Sequence, residues 1–175
     1  MTPDEQAKLR AHLAENADGV LEYVAEAHGV TTFDVVQSLP AHLRALAPGT
    51  HISEIIGDMS GWGPMLVVII SKSLVAEIVS PILPVEPGRG FLNFKGSAPF
   101  SGHIRQTACQ DIAFVARPFF GRPSYSVQFF DADGGSIFKA FVRRGPDGEL
   151  LSTQIDAFER LRAKYETPSI SQTRV

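Results

Sequence analysis

Residues 112–143 read IAFVARPFFGRPSYSVQFFDADGGSIFKAFVR, and this stretch decides the fold. It holds three runs rich in aromatic and β-branched residues, at 112–118, 124–130 and 136–143. Gly121-Arg122-Pro123 and Asp131-Ala132-Asp133-Gly134-Gly135 separate them. Glycine, proline and aspartate supply the backbone angles and local hydrogen bonds of turns, so the runs are expected to be strands and the gaps turns. The 131–135 segment is the clearest hairpin signal in the chain. Gaps this short join antiparallel neighbours, because a parallel crossover takes a dozen residues or more.

Working upstream, further strands are expected at 65–71, 74–80, 90–95 and 100–105. Ser71-Lys72-Ser73, Pro87-Gly88 and Lys95-Gly96-Ser97 punctuate them. The most apolar segment, 65–83, is interrupted by Lys72, Glu77 and three serines. Mid-bilayer charges are costly, so this segment predicts two buried strands and not a membrane span. Residues 40–64 are rich in proline and glycine and predict irregular structure. Three helices are expected before them, at 3–15, 19–28 and 32–39. Asp18 is a candidate N-cap and Gly29 a stop, Thr31 and Asp34 have capping-box spacing, and Pro40 ends the third helix.

Downstream, Leu151, Ile155, Phe158, Leu161 and Tyr165 follow helical spacing and predict a final helix over 148–165. Residues 167–175, TPSISQTRV, are expected to form a flexible tail. The expected class is α+β, as one domain over 1–166. It comprises a helical part at 1–40, an antiparallel sheet at 65–143 and the closing helix.

The net charge of −3 argues against a general nucleic-acid or anionic-membrane binder. Cys109 is the lone cysteine. It excludes an internal disulfide and a cysteine zinc cage, and it fits a reducing compartment. The opening Met1-Thr2-Pro3-Asp4-Glu5 lacks the basic and apolar pattern of a secretion signal, so a cytoplasmic location is expected. Residues 19–39 have helix-turn-helix spacing. However, 31–39 offer Asp34 and Gln37 and no cation to DNA, which disfavours a DNA-binding regulator. Two helices packing on the sheet is the simpler reading. No phosphate loop, nucleophile elbow or HExxH motif is present.

Of the five histidines, His12, His28, His42 and His51 fall in helices or loops. His103 falls in the strand region, in Phe100-Ser101-Gly102-His103-Ile104-Arg105. Gly102 has no side chain, so a flat ligand could approach the backbone there. A neutral imidazole is a good axial ligand for haem iron. Spacing alone leaves a structural histidine the more ordinary reading. Lys95, Arg105, Arg117 and Lys139 are candidate cations for a carboxylated ligand, and the phenylalanines of 91–141 are candidate walls or simply core.

An ordered set of segments points further. Residues 90–104, GFLNFKGSAPFSGHI, resemble the aromatic-Asn-Lys/Arg-Gly and Ser-Gly-His-Ile segment of the ChuX/HutX haem-utilisation family. Residues 117–121 (RPFFG), 128–141 (QFFDADGGSIFKAF) and 150–158 (LLSTQIDAF) are similar to three later segments of that family. DGVLEYVAEAHGVTTFDVVQSLP at 18–40 resembles its opening helices, and Trp62-Gly63 has a counterpart too. The resemblance runs over about residues 18–161.

It implies a strongly curved antiparallel sheet flanked by helices and pairing as a homodimer. It also implies a cytosolic protein that holds imported haem and passes it to a haem-degrading enzyme. His103 would be the iron ligand, with Gly102, Phe100, Lys95, Arg105 and Arg117 around the haem. Some members carry a second histidine where this chain has Ile70 or Ser71. Water or a tyrosine such as Tyr125 would then be the sixth ligand, or the iron would have none. The alternative is an enzyme that degrades haem or releases its iron from the same pocket.

Overall fold

The computed structural model describes residues 1–166; the expected tail at 167–175 lies outside the described residues. Three helices come first: α1 (Pro3–Glu15), α2 (Leu21–His28) and α3 (Thr32–Ser38). The predicted capping box is formed, as Thr31 and Asp34 satisfy each other's backbone N–H groups at the start of α3. Gly29 ends α2 in the left-handed conformation, φ 64°. Asp18 does not cap α2, which starts from Val20 without a side-chain cap. Its carboxylate is drawn instead to the backbone N–H groups of Gly19, Phe120 and Gly121.

The segment expected to be irregular holds two regular elements, β1 (Arg44–Pro48) and α4 (Ile52–Met59). Ile52, Ile55, Ile56 and Met59 of α4 are all buried. The remaining elements are β2 (Pro64–Ser71), β3 (Leu74–Pro81), β4 (Val85–Gly88), β5 (Phe91–Phe94), β6 (His103–Arg105), β7 (Asp111–Phe119), β8 (Arg122–Phe130), β9 (Ser136–Phe141) and α5 (Ser152–Arg162).

The strands form two antiparallel sheets where the sequence suggested one. The larger runs β1-β7-β8-β9-β2-β3 and the smaller β4-β5-β6. The hairpin at 131–135 joins β8 to β9 as expected, with a register shift at Phe129/Phe130.

Alternation along the strands gives the large sheet two different faces. Ile112, Phe114, Val127, Phe129, Phe138 and Ala140 enter the main core, under α4, α5 and the small sheet. The small sheet docks there through Leu92 and Ile104. Phe100 bridges Phe94 and Phe138, with ring centroids 5.1 Å apart on each side. Ala113, Val115 and Phe130 enter a second core with the buried faces of α1–α3. Val35, Val36 and Leu39 are spent there, so α3 serves packing.

Buried Gln154 of α5 ties the ends together. Its amide donates to the Trp62 and Pro64 carbonyls at 3.0 and 2.8 Å, and its oxygen accepts from the Arg143 N–H. Among the described residues no helix is long and apolar enough to cross a membrane.

Candidate functional site

The outer face of the small sheet gathers four of the six residues singled out from the sequence. On β6, Ile104 points into the core while His103 and Arg105 are exposed. Register places His103 opposite Asn93, and Arg105 opposite Phe91. Lys95 follows β5 and forms an exposed ion pair with Glu86 of β4. Asn93 braces this face by donating to the Glu86 and Gly88 carbonyls at 3.3 and 3.2 Å.

The His103 ring stands edge-on to Phe91, with centroids 4.6 Å apart. Among the described residues it makes no side-chain hydrogen bond and no ion pair. Gly102 has φ +123°, a conformation that favours glycine, and open space where a side chain would be. An exposed imidazole beside an aromatic ring and an unobstructed backbone makes an open platform on which a flat ligand could take up a nitrogen donor.

The other two residues lie elsewhere. The Phe100 ring is turned into the core, and its N–H donates to Ser80 Oγ at 3.1 Å. It supports the platform from below and does not wall it. Arg117 shares its face of β7 with Ala113 and Val115, which the second core uses, so it lies across the large sheet from His103. Its guanidinium donates to the Ala17, Gly19 and Pro118 carbonyls at 2.7, 2.6 and 3.0 Å. Burial lowers its pKa to about 10, against the opposing pull of Asp18 and Glu22.

Asp18 completes this clasp. Its carboxylate accepts from the N–H groups of Phe120 and Gly121 at the β7–β8 turn, at 2.6 and 2.7 Å, and from Gly19 at 2.6 Å. The bond from Gly121 is the largest reason its pKa falls below the ordinary 3.8. Arg117-Pro118-Phe119-Phe120-Gly121 is thus a device for fixing the hairpin to the α1–α2 connection.

Tyr125 packs edge-on to Phe158 of α5, half-buried in the main core. Cys109 is buried, and desolvation pushes its thiol up to about 12. Among the described residues no group of three or more histidine, cysteine or carboxylate side chains could hold a bare metal ion.

Sequence reasoning missed the second prominent feature, a cavity on the uncovered part of the large sheet's second face. Ile70 lines it, so position 70 and His103 lie on different faces of the subunit.

Three comparisons bear on this arrangement. A family model described as haem utilisation ChuX/HutX matches residues 45–161. The chain is 29% identical over 144 residues to the intracellular heme transport protein HutX of Vibrio cholerae, covering 82% of this chain and 75% of that protein. Among solved structures, a protein from Erwinia carotovora superposes with a TM-score of 0.86 at 36% identity, covering 90% of this chain and 98% of that one. The heme binding protein ChuX superposes with a TM-score of 0.84 at 29% identity, covering 91% and 99%.

Proposed function

This chain belongs to the ChuX/HutX haem-utilisation family, and from that premise we propose that it is an intracellular haem carrier that holds haem against the outer face of its small sheet. One observation carries the reading of the site. The other distinctive residues of the family segments have structural employment: Asn93 braces β4, Arg117 holds the α1–α2 connection, and Gln154 ties α5 to β2. His103 touches Phe91 but makes no side-chain hydrogen bond or ion pair among the described residues, and it is exposed.

The chemistry follows from residue types. A His103 nitrogen donates its lone pair to the iron. Phe91 contacts the apolar ring system, and Arg105 offers charge to the haem carboxylates. Lys95 can exchange its exposed pair with Glu86 for a haem carboxylate at little cost, since such pairs are worth on the order of 0–1 kcal/mol. Ile70 and Ser71 supply no nitrogen and Tyr125 is half-buried against Phe158, so in this reading the sixth position holds water or stays empty. An exposed single-histidine site suits a carrier, which must let go. Micromolar binding, about −8 kcal/mol, is the expected order.

The acceptor in this reading is a haem-degrading enzyme, and the carrier itself consumes nothing. The test is to mix haem-loaded protein with a haem-free acceptor protein, and separately to supply electrons and oxygen without one. Transfer of intact haem in the first and no bleaching in the second is expected. Steady loss of the haem absorbance with release of iron in the second would make the chain an enzyme.

A further inference from the structure

We propose that His12 and His28 form a metal-binding site that fastens α1 to α2, for a divalent transition ion with Cu²⁺ preferred, separate from His103. The two imidazoles come from different helices and meet edge to face, with ring centroids 5.2 Å apart and planes at 88°. Among the described residues neither ring makes a side-chain hydrogen bond or an ion pair. No polar contact within the described chain competes for their nitrogens.

The separation suits coordination. An ion about 2.0–2.1 Å from a histidine nitrogen sits about 3.2 Å from that ring's centre, so two rings at a tetrahedral angle are about 5.2 Å apart, and at a right angle about 4.5 Å. The observed spacing falls at the tetrahedral end. Edge-to-face rings need a turn about χ2 to aim a nitrogen of each at one point, and that torsion is soft in histidine. His12 is exposed and His28 half-buried, so a ring can swing and an ion can arrive from solvent.

The scaffold beneath the pair is packed. Leu9 and Leu13 of α1 and Leu21 and Ala25 of α2 enter the second core together, which sets the spacing of the two helices before an ion binds. Each histidine lies in the last turn of its helix. Carbonyls without helical partners give that end a partial negative charge, which favours a cation. The buried residues of α1 are Leu9 and Leu13 alone, so a metal bridge gives this helix a second fastening.

Ligand type and number select the metal. Among the described residues no third histidine, cysteine or carboxylate joins the pair, so water completes the shell. Structural zinc takes four protein ligands, and calcium and magnesium take oxygens, so none of these is the best fit. Imidazole suits copper, nickel and zinc, and divalent copper binds a given donor set most tightly of the series. The site is apart from the haem platform. The helical layer covers one face of the large sheet, and the small sheet with His103 packs on the other.

The test titrates Cu²⁺ alone into the haem-free full chain. One saturable equivalent is expected, with Ni²⁺ and Zn²⁺ weaker and Mg²⁺ silent. His12→Gln and His28→Gln should each weaken it at least about tenfold, since losing even an outer hydrogen-bond partner of a ligand costs that much. His103→Ala should leave it unchanged. At a hundredfold excess over its dissociation constant, Cu²⁺ should lower the unfolding equilibrium constant about a hundredfold. It should also slow amide exchange in both α1 and α2. In the wild-type protein, paramagnetic broadening should reach the ring protons of His12 and His28 together, a readout that needs no variant. Copper binding that either glutamine variant leaves unchanged, or that broadens one of the two rings alone, overturns the proposal. So does the absence of a saturable equivalent.

Discussion

His103 and Cys109 illustrate how burial decides what a reactive side chain can do. His103 is exposed because it alternates with Ile104, whose side chain the core takes. That polar-apolar-polar pattern, His103-Ile104-Arg105, is legible in the sequence, and it puts the histidine and the arginine on one outward face. What spacing could not supply was that the ring, set against Phe91, would have no hydrogen-bond or ion-pair partner among the described residues. Phe100 was expected beside the ligand, but proximity in sequence does not fix which side of the chain a ring takes, and the gap beside Phe138 captured it. Phe100→Ala should therefore act through the core. A loss of about 1–3 kcal/mol in denaturant unfolding is expected, less than for a fully buried phenylalanine because Phe100 is only partly buried, with weakened haem binding as a consequence of a loosened small sheet. Cys109, buried with its thiol pushed up to about 12, should resist iodoacetamide at pH 8 in the folded protein and react readily once unfolded. Rapid alkylation of the native protein would contradict its placement.

Between elements, two polar contacts fix the helical layer to the large sheet. The buried Lys139–Glu22 pair joins β9 to α2, and desolvation lowers the lysine's pKa against the opposing pull of Glu22. Lys139→Met should cost about 3–5 kcal/mol by stranding the carboxylate, and Glu22→Gln in the same chain should restore most of it. Chemical denaturation of the single and double variants measures this directly. Asp18 holds the β7–β8 turn, where Phe120 adopts φ 49°, a conformation uncommon for a non-glycine residue. Its depressed pKa means that its contribution is present above pH 3.8 and is lost as the pH falls through its folded value. Asp18→Asn should speed amide exchange at Phe120 and Gly121 and remove that acid-limb dependence. The central strands were legible because each is a long apolar run between turn residues. β1 and β4 were not: Arg44–Pro48 holds no β-branched or aromatic residue, and Val85–Gly88 contains Pro87, so pairing with β7 and β5 makes them strands where local preference does not. The Ile52, Ile55, Ile56, Met59 stripe of α4 was readable, but neighbouring prolines and glycines obscured it.

At the scale of the whole molecule, the subunit has a closed main core on one side of the large sheet and a partly covered face on the other. The second sheet, the cavity and the separation of Arg117 from His103 depend on long-range packing, which no local pattern encodes. We propose that the chain pairs as a homodimer, with a light-scattering mass twice its 19.0 kDa at tens of micromolar. A 19 kDa species there would reject pairing. The central claim is that His103 holds haem iron. Haemin titrated into the wild-type protein and into His103→Ala, followed by absorbance, tests it most directly. Saturation near one equivalent per chain at the His103 site, with the spectrum of histidine-ligated iron, is predicted for the wild type. The variant should keep its fold by circular dichroism, lose that spectrum and bind at least tenfold more weakly there. An identical spectrum and affinity in His103→Ala would contradict the account.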